Sequence, residues 1–444
     1  METVSIRRPM PGTWAADVAA QGVTIALRPI HALITAPSLL FLIALTAMLL
    51  RHPDVAFYEV DRVTFGLLVL GVVARAVVMH QPLFVMERAT WPMLGLTILA
   101  VVSVIGQPFD SQTWCVLAAK FIVPYTLFHL ARLVFANEKA LRQYEVFALA
   151  VLAYLSFTAI AFLMGAKALI FPHFILDESL GYHADRARGP LLQAVANGVS
   201  LNMLGLLALH AFRRGRFRGL KAVVLLGSVP IAILATMTRA VWLSFAGTLL
   251  VLRVGKCKAG ARSACTGVAV IGGAVLLIML TSSGLRAVLT DRLEERSPVA
   301  FRQAVYTGSW AMFLERPLTG WGVNEMPAQL SRHVSDYRER VLYPHNTYLE
   351  LLVEHGVIGL ALYVWLMWEM LRLSHGRIPR EDDEHHGFLD RHFHAMWPVL
   401  LGVYWVNAAF VAMNYQFVNA LLFTMAGMLA AQNRRAEAAD EFRH

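Results

Sequence analysis

Arginines and one histidine are where this sequence could do chemistry. Arg186 and Arg188 stand in RARGPLLQAVANG, Arg239 in ATMTRAVWL and Arg302 soon after Ser297-Pro298. Arg338 and Arg340 come just before YPHNTYLELLVEHGVIGL. An arginine at a helix end often serves only as an anchor, its stem along apolar surface and its head in water. Arg239 reads differently. It falls between two apolar segments with almost no loop, where a buried guanidinium is costly and an anionic partner is expected. Several arginines without matching carboxylates point to phosphate or pyrophosphate, whose oxygens the planar fork binds two at a time.

His345 follows Pro344 where a loop enters an apolar run. A lone histidine there serves packing as readily as chemistry, but its ordinary pKa near 6.5 suits proton abstraction from a hydroxyl. Glu354 lies nine residues on, inside the apolar run, and is expected to pair with an arginine. Lys120 also falls within an apolar block and could face the same cavity as the arginines, while Arg75 is near enough to a block end to snorkel. The stretch EDDEHHGFLDRHFH carries His385, His386, His392 and His394 but reads as a solvated mixed-charge loop rather than a metal site. No P-loop, HExxH or GxSxG occurs, so an ATP-driven pump, a zinc protease and a serine hydrolase find no support.

The elements that must position these residues are apolar blocks. Of 444 residues 57% are hydrophobic and 16% charged, and the mean hydropathy is +0.55. A soluble domain carries about a quarter charged residues. The blocks are continuously apolar and long enough for helices crossing about 30 Å of hydrocarbon. They centre on 33–50, 63–79, 91–106, 112–135, 145–165, 190–212, 220–237, 240–254, 265–282, 347–372, 394–414 and 416–431. The expected fold is therefore an all-α polytopic membrane protein of about twelve transmembrane helices, a single membrane domain over 1–444.

Basic residues set the orientation. Arg213, Arg214, Arg216, Arg218 and Lys221 share one short loop, Arg253, Lys256, Lys258 and Arg262 another, and Arg434 and Arg435 lie near the C-terminus. By the positive-inside rule that side, with both termini, is cytoplasmic. The net charge of +9 is then mainly a topology signal, and no nucleic-acid partner is expected. Cys115, Cys257 and Cys265 imply no disulfide framework. Residues 283–346 form the one large loop, between the ninth and tenth blocks, on the outer side. Within it Ser297-Pro298 opens a short amphipathic helix, with Phe301, Val305, Met312 and Phe313 on its apolar side, expected on the membrane surface.

Two stretches carry a resemblance. SWAMFLERPLTGWGVNEM and, after an interval, YPHNTYLELLVEHGVIGLALYV resemble the signature of the O-antigen ligase and polymerase family. The matching positions are Pro317-Leu318-Thr319-Gly320, Gly322, His345-Asn346, Leu349, Glu354, Gly356 and Gly359. MTRAVWL resembles the family's serine–arginine–aromatic turn, with Thr238 in place of serine. RARGPLLQAVANG resembles the segment that opens the family's core region, but Ala196 stands where proline is usual, leaving Arg186 and Arg188 as alternatives for one role. The motif resemblance covers 185–360.

That resemblance implies a fold similar to the C class of glycosyltransferases and a periplasmic site in the bacterial inner membrane. It implies a polyprenyl-pyrophosphate-linked glycan as donor, an undecaprenyl pyrophosphate glycan, and a lipid A–core sugar as acceptor, with inversion and without metal or cofactor. Arg186 or Arg188, Arg239 and Arg302 would hold the pyrophosphate. His345 would be base or orienter for the acceptor hydroxyl, with Arg338, Arg340, Lys120, Asn346 and Glu354 in support. An O-antigen polymerase and a protein O-oligosaccharyltransferase share these motifs. From a different class, a small-solute (bicarbonate-like) carrier also suits about twelve spans, and it should show broken helices converging at mid-membrane.

Overall fold

A computed structural model describes residues 36–52, 59–83, 86–105, 107–181, 183–254, 259–281, 297–334, 342–376 and 387–441. Every apolar block expected from the sequence coincides with a helix. In chain order these are α1 (Pro37–Leu49), α2 (Val60–Val78), α3 (Thr90–Val102), α4 (Ser111–Leu117) and α5 (Val123–Val134), the last two joined by a π turn over Ala118–Ile122. They continue with α6 (Glu138–Leu163), α7 (Ala194–Arg213), α8 (Leu220–Ala235), α9 (Arg239–Val254) and α10 (Ala259–Thr281). After the loop helices α11 (Ser297–Glu315) and α12 (Gly322–His333) come α13 (Thr347–Arg372), α14 (Arg391–Ala408) and α15 (Gln416–Glu441). No strand occurs among the described residues.

Among the described residues, four stretches are long and apolar enough to cross a membrane: Ser111–Val134, Glu138–Leu163, Ala194–Arg213 and Thr347–His375. Pro37–Leu49, Thr90–Val102, Leu220–Ala235 and Cys265–Ile278 are shorter apolar helices. The helices expose Leu70, Val77, Val102, Val223, Leu250 and Trp368. Asn197, Asn202, Asn407, Asn419 and Glu354 are buried inside. Apolar residues outward and polar residues inward is the arrangement that lipid, rather than water, favours. The chain is a multi-pass helical membrane protein.

Local chemistry starts the helices where they start. Asp110, Asn137, Asn346 and Asp390 each accept hydrogen bonds from first-turn backbone N–H groups, so α4, α6, α13 and α14 begin at side-chain caps. α15 packs most extensively on α5, and this contact is close because Gly427 has no side chain. A Cβ there would lie 2.2 Å from the Phe128 carbonyl oxygen.

The loop is more built than expected. Where one amphipathic helix was expected, the described part of the loop holds two, α11 and α12, with a core of their own: Val305, Met312, Met326, Leu330, Val334 and Leu342 bury against Val353 of α13. Ser297-Pro298 does open α11 as the sequence suggests, whereas α12 carries Pro327 in its interior and lacks a side-chain cap, so its start was not legible. Residues 283–296 and 335–341 of the expected loop lie outside the described residues, as do Arg338 and Arg340.

Candidate active site

α13 is broken, and the break organises the site. Gly356 adopts φ 66° and ψ −165°, outside the helical region. Into the gap docks the turn after α11: Val357 N–H donates to the Pro317 carbonyl at 2.9 Å and Trp321 N–H to the Val353 carbonyl at 2.9 Å. The backbone groups freed by the break are thus satisfied by another segment, which is what burial in an apolar bundle requires. Approach is so close that a Cβ at Gly356 would lie 2.2 Å from the Leu318 oxygen, and one at Gly320 would lie 2.4 Å from the Glu354 carbonyl. The PLTG and EHG stretches are therefore two halves of one joint.

Above the break, α13 begins at His345-Asn346. Asn346 accepts from the N–H groups of Tyr348 (3.0 Å) and Leu349 (3.2 Å), so its side chain is a helix cap. Thr347 ties this end to the α14–α15 connection, donating to Val411 and accepting from Met413 N–H, both at 2.9 Å. His345 itself holds a left-handed backbone at φ 50°, an uncommon conformation for a residue with a side chain. Burial pushes its imidazole below the usual range, and Arg302 and His183 push the same way while Glu350 opposes them. A neutral ring at neutral pH follows.

Three of the arginines meet in one cavity of about 350 Å³. Arg186, Arg239 and Arg302 line it together with His183, and Leu243, Val299 and Phe410 supply an apolar wall. Leu243 and Val299 are exposed, so the apolar wall reaches the surface of the molecule. Arg239, the first residue of α9, is exposed. This corrects the expectation of a guanidinium buried between two spans: the turn before α9 turns it outward into the cavity. Neither Arg239 nor Arg302 makes an ion pair among the described residues, and Arg186 has Asp185 at 3.8 Å.

Arg188 does not join them. It is 1% exposed, and its guanidinium is spent on the carbonyls of Ile175 (3.0 Å), Leu180 and Asp177, pinning the segment before it. The peptide between the two arginines is held at both ends. Ala187 N–H donates to Ala235 at 3.2 Å, and the Asn197 amide donates to the Ala187 carbonyl at 2.9 Å. So RARG…N works as a bracket: Asn197 and Arg188 fix the backbone, and Arg186 faces the cavity.

Lys120 is not in the cavity lining. Its ammonium, on the π turn, donates to Glu350 at 2.6 Å and Glu354 at 2.7 Å, all three side chains buried. The arginine expected beside Glu354 is thereby replaced by a lysine. Glu350 was missed, although its spacing of four from Glu354 places both carboxylates on one helix face. One Glu350 oxygen accepts from Lys120, and the other is buried without a hydrogen-bond partner. His183 was missed as well, and no pattern in its neighbourhood singled it out. His385 and His386 lie outside the described residues. His394 is engaged with Gln432 at 3.2 Å.

Taken together, the fold and site define a multi-pass helical membrane protein with an arginine-lined cavity and a broken helix. The family model for O-antigen ligase matches residues 222–364. The match takes in MTRAVWL, the PLTG turn, His345 and the break at Gly356, and it starts after RARGPLLQAVANG. A search of curated proteins returns no match to the chain.

Proposed function

We propose that the chain transfers a glycan from a polyprenyl-pyrophosphate carrier to a sugar hydroxyl of lipid A–core, at the periplasmic face and with inversion. One observation carries the reading: Arg186, Arg239 and Arg302, from three separate segments, line one cavity whose apolar wall is exposed at the surface. A pyrophosphate head with a long apolar tail is the ligand whose two ends fit those two walls. The arginines bind the pyrophosphate and offset the charge that grows on it as the glycosidic carbon–oxygen bond breaks. His345, kept neutral beside Arg302, takes the proton of the acceptor hydroxyl as its oxygen attacks the anomeric carbon from the opposite side. Lys120, Glu350 and Glu354 hold the first turns of α13, and so the histidine, in place.

A carrier would also have a broken helix. Here the break is filled by the 317–321 turn rather than left open to a solute, which favours transfer. The test is a reconstituted assay with purified lipid-linked donor and lipid A–core acceptor. Arg239→Lys keeps the charge and loses the fork, so transfer should fall about 100-fold while the protein stays folded in the membrane. Near-normal transfer by that variant makes Arg239 an anchor and sinks the donor site. Glycan built up on the carrier instead of on the core sugar would identify a polymerase.

A further inference from the structure

A second basic cavity lies far from the first. It encloses about 440 Å³ where the start of α1, the end of α2, the α5–α6 junction and the C-terminal part of α15 meet. Arg75, Arg132, Lys139, Arg434 and Arg435 line it, and no aspartate or glutamate is among its described lining residues. α6, 26 residues long, begins at this cavity, and the chain passes Arg186 only after the far end of that helix. The cavity sits at the end that the basic loops assign to the cytoplasm.

Part of its charge is balanced, by Glu87 and, at Arg435, by Glu138. Glu87, behind the lining, has Arg132 and Arg434 both at 3.4 Å. One carboxylate thus serves two guanidiniums, and burial pushes its pKa up, which weakens it as a counter-ion. Arg435 donates to the Ala136 carbonyl, and Lys139 makes no ion pair among the described residues. Beside the cavity the surface turns apolar: Leu39, part of the lining, is exposed, as are Ile43 on α1 and Val77, Val78 and Met79 at the end of α2. Clustered cations next to an exposed apolar strip match a molecule with an anionic phosphate and acyl chains, and a free phosphate would use only the cations.

We propose that this cavity binds the phosphate of an anionic phospholipid, with the acyl chains lying along α1 and α2. The site is independent of glycan transfer, since none of its residues lines the arginine cavity of the candidate active site.

Native mass spectrometry of the full chain in neutral detergent tests it, titrating phosphatidylglycerol, phosphatidylcholine with the same acyl chains, and inorganic phosphate. Phosphatidylglycerol should remain bound where the other two do not. Lys139→Gln with Arg435→Gln should weaken it about tenfold. Arg218→Gln with Lys221→Gln, which removes two cations from another loop, should leave binding unchanged. Should loss of the Arg435 bond to Ala136 unfold the first variant, Lys139→Glu alone, at an exposed position, should still weaken binding. Equal retention of both lipids overturns the proposal, as does an equal loss in both double variants. Inorganic phosphate bound as tightly as phosphatidylglycerol would overturn the lipid as ligand.

Discussion

His345 has a backbone that few side chains adopt, one residue ahead of a cap that fixes it, so its ring is presented rather than free to wander. As general base it should lose roughly 100- to 10,000-fold in turnover on His345→Ala, with donor binding retained by the arginines. If it only orients donor, affinity falls with rate and His345→Gln partly restores both. Because its pKa lies below 6.5, the rate should hold through neutral pH and fall on the acid side as the ring protonates. Arg302→Gln removes one cause of that depression and should move the acid limb toward higher pH; an unmoved limb in a pH–rate profile separates the two residues. Arg188 and Arg186 make a matched pair. Arg188→Gln strips buried carbonyls of their donors, at about 1–3 kcal/mol for each one left unsatisfied, and should lower the melting temperature. Arg186→Gln should leave melting unchanged and reduce transfer. Sequence reasoning held these two arginines open as alternatives because both belong to one motif; which one turns inward depends on the Ala187 peptide, a matter of backbone direction.

At the scale of elements, the joint between α13 and the 317–321 turn rests on backbone contacts that any added Cβ would disrupt. Gly356→Ala combines a 2.2 Å clash with a strained φ, so the α11–α12 hairpin should detach. Limited proteolysis in the 317–321 turn, faster than in the parent, is the readout. Lys120 is the other clamp on α13. Lys120→Met leaves two buried carboxylates without their cation and should destabilise the protein by about 3–5 kcal/mol. Adding Glu350→Gln and Glu354→Gln should recover most of that loss in a thermal melt. If Lys120→Met alone melts like the parent, the cluster is not a structural clamp. The lysine and Glu354 were visible in the sequence as isolated intramembrane charges. Their meeting was not, because 230 or more residues separate them along the chain.

For the whole molecule, the apolar blocks were legible because a bilayer demands continuous runs of apolar residues, and each run did become a helix. The hairpin of α11 and α12 was only half legible: α11 has a Ser-Pro start, whereas α12 begins at Trp321 without a capping side chain and takes its position from buried contacts with α13. Orientation is a separate matter, resting on the basic loops. A cysteine placed at Ala328 in a background lacking Cys115, Cys257 and Cys265 should react with an impermeant maleimide in intact spheroplasts, and one at Arg218 should not. The reverse pattern would put the arginine cavity on the cytoplasmic side and end the periplasmic reading.

The break at Gly356 also has a mechanical side. Residues 347–355 are tied to the 317–321 turn by the Trp321–Val353 backbone hydrogen bond, to the α14–α15 connection through Thr347 and to the bundle through Lys120, while the rest of α13, tied to Pro317 at Val357, runs on into the bundle. The short upper length therefore behaves as a lever with its pivot at a glycine. A ligand that pushes on His345 loads the hairpin and, through the Lys120 clamp, the bundle helices together. Val299 and Arg302 of that hairpin line the arginine cavity, so the push returns to the wall against which the carrier lipid would rest.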